Sequence, residues 1–316
     1  MQTGFTRLVG CRHPLQQAAM GGVATPELAG AVARAEALGM LCEYAPEPAA
    51  ERITRALELA GPDGRVGMGF FGFQIGTDLD AFELAASLLR VVEVFWAQPD
   101  VALVERARRA GGALVAWQAG SVQEATAAED IGCDFVVAQG VEAGGHIRGT
   151  MPRDELLRLV LGRLSIPVVT AGGIATAGEV AAAVGAGAAA ARVGTRFVAT
   201  AESSAHPAYV AALLAARSGD ETVVTTAFSG GWPDAPHRVL RSAVERAQTY
   251  PGDVVGFVVE QGQRRPVQRF AVSTPHKDVE GEISAMALYA GTGVGAVNAS
   301  QPAADVVADL VSELGG

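Results

Sequence analysis

The sequence predicts an α/β protein, a (β/α)8 TIM barrel with a smaller C-terminal substrate or lid domain. Three observations carry this expectation. Short apolar runs alternate with alanine-rich helical stretches, the pattern of repeated strand-helix units around a parallel sheet. The last two of these runs end in glycines, Gly172-Gly173 and Gly194-Thr195. After residue 218 the alternation stops.

Taken in order, the predicted strands are Leu15 to Ala18, Met40 to Tyr44, Arg65 to Phe71, Val91 to Phe95, Ala113 to Trp117, Asp134 to Ala138, Ile166 to Thr170 and Ala189 to Val193. Eight such units close into a barrel more naturally than they spread into an open sheet. Between them helices are expected over Pro26 to Leu38, Ala49 to Leu59, Leu79 to Arg90, Val101 to Ala110, Val122 to Ile131, Arg153 to Leu161 and Ala177 to Val184. Pro26 and Pro99 are placed in first turns, where a missing N–H costs nothing. The barrel is assigned residues 1–218, completed by a C-terminal helix, 301–316, whose Val306, Val307, Leu310 and Val311 share one face. Residues 219–300 are expected to form the smaller domain, which contains Thr222 to Ala227, then Trp232 to Arg238, then a helix over Val239 to Ala247.

With 316 residues, 49% hydrophobic and 18% charged, the chain can bury a large core. Its formal net charge of -10, without a basic run, opposes nucleic acid or an anionic membrane as partner. The single lysine, Lys277, lies outside any GxxxxGK[ST] pattern, which excludes a Walker-type nucleotide site and disfavours a lysine aldolase. Cys11, Cys42 and Cys133 have neither disulfide nor zinc spacing. There is no secretory apolar segment and no uninterrupted apolar run of about eighteen residues, so a cytoplasmic location is expected.

Two near-fingerprints are discounted. Gly67 to Gly72 reads GxGxxG, but it lies within a strand and no helix is expected to begin at its last glycine. Gly185 to Ala190 follows a helix and precedes a strand, the reverse of the dinucleotide-binding order.

The chemistry centres on Gln139 to His146, an apolar strand running into a glycine-rich turn. His146 follows Gly144-Gly145 at a strand's C-terminal end, the catalytic face of a barrel. A hydrogen-bonded loop histidine is the alternative. Glu142 either orients His146 or satisfies loop amides, and the second reading is preferred. His13, His206, His237 and His276 lack metal-ligand spacing, and no HExxH or paired-carboxylate motif is present, so no metal site is expected. Ser203 and Ser204 lack a GxSxG elbow and are read as helix caps. Gly172, Gly173, Gly194 and Thr195 are the strongest binding signal. Amides without an obstructing Cβ, with one hydroxyl, suit a phosphate borne by a flavin mononucleotide, a sugar or another substrate, whereas tight structural turns are the plain alternative.

The order and spacing of Gln139-Gly140-Val141-Glu142-Ala143-Gly144-Gly145-His146, Thr170-Ala171-Gly172-Gly173-Ile174, Val193-Gly194-Thr195-Arg196-Phe197 with Glu202-Ser203, and Ala290-Gly291 resemble the nitronate monooxygenase (2-nitropropane dioxygenase) family. That group also includes flavin-dependent enoyl-acyl-carrier-protein reductases and related NADH:quinone reductases. The resemblance implies FMN as cofactor, its phosphate on Gly172, Gly173, Gly194 and Thr195, with Ala19, Met20, Gln74, Gln118 and Gly145 around the flavin. Ala19 stands where the family has proline and Gln74 where asparagine is common. His146 is implied as the catalytic residue, acting on a nitronate or nitroalkane with dioxygen. Ile147-Arg148 before Gly149 departs from the shorter His-x-Gly form. The competing expectations are an NAD(P)H-fed flavin reductase acting on an enoyl thioester or quinone, and a non-catalytic phosphate-ligand binder. A homodimer is allowed for.

Overall fold

The computed structural model describes residues 1–43, 48–76, 79–260 and 263–315. Eight parallel strands close into a barrel: β1 (Leu15–Gln17), β2 (Leu38–Cys42), β3 (Arg65–Phe71), β4 (Val91–Phe95), β5 (Leu114–Ala119), β6 (Phe135–Gln139), β7 (Val168–Ala171) and β8 (Ala190–Val193). Closure is through β8, which pairs Leu15, Gln16 and Gln17 with Ala191, Arg192 and Val193. The predicted strands are all present, with most boundaries moved by one or two residues. Tyr44, the expected end of the second strand, lies outside the described residues.

Helices Pro26–Arg34, Ala49–Ala60, Leu79–Leu88, Val101–Ala110, Val122–Asp130, Arg153–Leu161 and Ala177–Gly185 connect the strands. Four starts are capped by side chains that satisfy otherwise orphaned N–H groups: Thr25, Asp100, Ser121 and Thr176, the last in a reciprocal box with Glu179. The first helix stops at Arg34, short of the expected Leu38, because Glu36 turns the chain at φ 64° and releases Leu38 into β2. Pro99 precedes the cap rather than filling a first turn, since Asp100 accepts from the Ala102 N–H. Ser203 and Ser204 are not the expected caps either. His206 caps Pro207–Ala215 through Nδ1, while Ser204 donates to the Gly22 carbonyl.

The apolar layer between sheet and helices includes Leu28, Val32, Leu41, Ile53, Met68, Phe70, Val104 and Leu156. Helix Ala303–Val311 joins that layer through Val306, Val307 and Leu310; it is shorter than the expected 301–316 closure, and Gly316 lies outside the described residues. Inside the barrel the closed end is filled by Leu38, Met40, Val91 and Val137 and plugged by a short helix, Gly4–Val9. Its Phe5 meets Phe135 edge-on at 5.5 Å, a favoured aromatic geometry.

Beyond residue 218 two small antiparallel sheets form. One has His237–Leu240 at its centre, flanked by Thr222–Thr225 and by Gly145–His146 from the barrel loop, with His146 opposite His237. The other pairs Val254–Glu260 with Gln263–Gln268 and Val279–Gly281. The helix expected from Val239 begins instead at Arg241, because Val239 and Leu240 are held in the strand. Gly72 also departs from expectation by opening a four-residue helix, Gly72–Ile75. Its glycine is explained by packing, since a Cβ there would collide with the Cβ of Ala97.

Candidate active site

The C-terminal ends of the barrel strands and the segment after residue 218 enclose a cavity of about 420 Å³, a size suited to a small-molecule ligand. Every site residue expected from the sequence lines it: Ala19, Met20, Gln74, Gln118, Gly145, His146, Gly172, Gly173, Gly194 and Thr195. No group of three candidate metal ligands occurs among the described residues.

One wall is backbone. Gly172 and Gly173 leave β7 at φ 128° and 68°, conformations that L side chains rarely adopt. Gly194 and Thr195 leave β8, and the Thr195 hydroxyl accepts from the Gly291 N–H at 3.0 Å, which keeps its own hydrogen available to a ligand. The Glu142 carboxylate accepts from the Arg153 N–H at 2.9 Å, and Arg153 in turn donates to the Gly172 carbonyl at 2.9 Å. Glu142 thus braces the glycine turn from behind. The 290–293 segment closes over the same turn so tightly that a Cβ on Gly173 would run into the Thr292 hydroxyl and one on Gly293 into the Gly173 carbonyl.

The floor is polar. Arg192 of β8 is ion-paired with Glu93 of β4, with both side chains almost fully buried. Arg192 also donates to the Gln118 carbonyl oxygen at 2.6 Å, and Gln16 donates to Glu93 at 3.1 Å. With its oxygen occupied, the Gln118 amide keeps its N–H donors for the cavity. Gln139 donates to the His146 carbonyl at 3.0 Å, while its own Oε1 is buried without a partner. An unsatisfied acceptor beside a cavity marks a place for a ligand's donor. Glu93→Gln would leave Arg192 buried without its counter-charge, so the variant is expected to lose about 3–5 kcal/mol of stability, read from the urea midpoint.

His146 lies beneath an aromatic wall. Its ring stacks on Trp232 with centroids 4.0 Å apart and planes 19° apart, Trp96 stands edge-on at 6.0 Å, and Tyr289 and His237 lie at 5.6 and 5.3 Å. Nε2 is buried without a hydrogen bond. Burial, with a smaller contribution from His237, pushes the imidazole down to about 3 from 6.5, so it is neutral at physiological pH. His237 differs in being saturated. Its Nδ1 lies 2.9 Å from the Ala235 carbonyl and its Nε2 accepts from the Phe228 N–H at 3.3 Å, which together assign the neutral Nδ1–H tautomer.

The aromatic wall escaped the sequence reading. Phe71 and Phe95 end β3 and β4, positions that face the mouth of a barrel, and this was their one legible signal. Trp96 adopts φ 60°, uncommon for a bulky side chain, and Trp232 arrives from a segment distant in sequence.

Comparisons with known proteins identify the family. Residues 81–313 match the family model described as nitronate monooxygenase. Nitronate monooxygenase from Pseudomonas aeruginosa is 32% identical, with 100% of both chains covered. A (3aS,4S,5R,7aS)-5-hydroxy-7a-methyl-1-oxo-octahydro-1H-indene-4-carboxyl-CoA dehydrogenase from Rhodococcus jostii is 34% identical over 82% of this chain and 71% of its own. Among solved structures, nitroalkane oxidase from Streptomyces ansochromogenes superimposes with a TM-score of 0.77 at 30% identity, covering 99% of this chain and 98% of that one. FabK from Thermotoga maritima superimposes equally, at 0.77 and 26% identity, over 99% and 96% of the two chains. The chain belongs to the nitronate monooxygenase family of flavin-dependent oxidoreductases.

Proposed function

We propose that the protein binds FMN in this cavity and oxidises an alkyl nitronate with dioxygen. The observation that carries the reading is the meeting, on one cavity, of a glycine cradle with an imidazole that burial keeps neutral. The residues fit the cofactor. Gly172, Gly173, Gly194 and Thr195 would take the phosphate on backbone amides and a free hydroxyl hydrogen. Gln118 offers amide donors and Gln139 an unpaired acceptor, which suit the polar edge of a flavin ring, while Ala19, Met20, Gln74 and Gly145 border the same space. When bound, FMN supplies the two-electron redox chemistry and the reaction with dioxygen.

What the protein adds is selection and shielding. A base whose conjugate acid titrates near 3 accepts a carbon-bound proton poorly, so a nitroalkane would gain little from His146. A nitronate arrives already deprotonated. The neutral imidazole then donates an N–H to its oxygen and fixes the reacting carbon, and the aromatic wall excludes water, which strengthens that hydrogen bond. On this reading residues 219–300 act as the lid, since Trp232, Val272 and Tyr289 line the cavity from that side.

A second reading is favoured by the Rhodococcus jostii relative, a carboxyl-CoA dehydrogenase: the same site would act on an acyl thioester and exchange electrons with NAD(P)H. Anaerobic mixing of the FMN-loaded protein separates the two. Bleaching of the flavin by a nitronate, with oxygen uptake on aeration, is expected; rapid bleaching by NADH or NADPH with no response to nitronate would overturn the first reading.

A further inference from the structure

Trp232 is the hub of a ring cluster that the flavin and His146 do not account for. Besides stacking on His146, it meets Phe71 at 5.0 Å, Phe73 at 4.7 Å and Trp96 at 4.9 Å, all edge to face. The rings come from the end of β3 and the short helix after it, from the residue after β4 and from the segment beyond residue 218, so the wall is assembled across the cavity mouth. Phe71, Phe73 and Trp232 face the cavity, and Phe73 is 49% exposed although it is apolar. Exposed aromatic surface at a cavity rim marks a binding surface.

Charge in this region is already spent. Arg148, over Trp96 at 5.8 Å, is ion-paired with Glu124. Arg192, the one charged side chain among the described cavity-lining residues, is ion-paired with Glu93 on the floor. A ligand with a second anionic group would therefore lose hydration at the aromatic wall without meeting an unneutralised cation, which is costly. An aromatic body would gain contact with π faces and edges beyond its buried area.

We propose that Trp232, with Phe71 and Phe73, is the specificity-determining surface for the body of the substrate, and that this body is apolar, uncharged and best when aromatic. The inference rests on the proposed function only for the reactive head, a nitronate oriented by His146. It assigns Trp232 a second task, holding the His146 ring by its flat face so that the ring edge, with its N–H, is turned toward that head.

Binding and turnover test it separately. Nitrobenzene, 4-nitrobenzoate and nitroethane would be titrated into the FMN-loaded protein, following perturbation of the flavin spectrum; none of the first two carries an α-hydrogen to react. Nitrobenzene is expected to bind at least tenfold more tightly than either of the others. Trp232→Ala should erase that preference, whereas Trp232→Phe should retain most of it, with circular dichroism confirming that both variants fold. In turnover, phenylmethyl nitronate should exceed the dianionic nitronate of 3-nitropropionate at least tenfold in kcat/KM, chiefly through KM. Equal binding of nitrobenzene and 4-nitrobenzoate, or undiminished selectivity in Trp232→Ala, would overturn the proposal. Selective binding without oxidation of either nitronate would support the aromatic surface and overturn the nitronate reading instead.

Discussion

His146→Ala is expected to lower kcat/KM for a nitronate by roughly 10²–10³-fold, the range typical for loss of one positioned hydrogen-bond donor, while FMN stays bound. The two parts separate because the cradle is built by β7, β8 and the 290–293 segment, whereas His146 enters from the strand paired with His237–Leu240. Steady-state oxygen uptake and the flavin spectrum of the same sample measure both. Retained FMN with unchanged turnover would remove His146 from the reaction. The pH dependence provides an independent check. Since burial lowers the folded-state value from 6.5 to about 3, the unfolded chain binds a proton here before the folded protein does. The stability contributed by keeping His146 neutral is fully present above about pH 6.5 and is lost progressively as pH falls toward 3. His146→Ala should therefore flatten the dependence of the urea midpoint between pH 7.5 and pH 5.

How much of this could be read in the sequence depends on the range of the interaction. The strands were legible because each is a short apolar run, and the cradle because its glycines follow two such runs directly. Gly173 shows why a local motif suffices there: its φ of 68° is a backbone requirement written at one position. The wall over His146 has no such signature. Phe71, Trp96, Trp232 and Tyr289 come together only after the barrel closes and the later segment folds across it. The buried floor was half visible. Gln118 was expected beside the ligand, but the Glu93–Arg192 pair that orients it joins β4 to β8 across the barrel interior. Val239 was misplaced for a related reason: helical spacing in 239–247 is overridden at its start by pairing with Thr222–Thr225.

The glycine cradle leads to the other large expected effect. Gly173→Ala should abolish stoichiometric FMN retention through two costs with separate origins. A left-handed conformation at φ 68° costs a non-glycine residue about 1–2 kcal/mol. The added Cβ would also overlap the Thr292 hydroxyl, and overpacking in a filled site costs about 1–3 kcal/mol. If the turn yields to relieve these, the amides leave the phosphate, and each 1.4 kcal/mol lost there weakens binding about tenfold. A fall in FMN affinity of about 10–1000-fold is expected, read from fluorescence titration of the apoprotein. Thr292→Gly in the Gly173→Ala background should recover only the steric share, because it opens space without changing φ. Thr195→Val probes the ligand side of the same cradle. It deletes the hydroxyl that accepts from Gly291 and is free to donate, and loss of a hydrogen bond to a charged group costs about 1.5–3 kcal/mol. FMN affinity untouched by both Gly173→Ala and Thr195→Val would show that the phosphate is held elsewhere, and the assignment of this wall would fall with it.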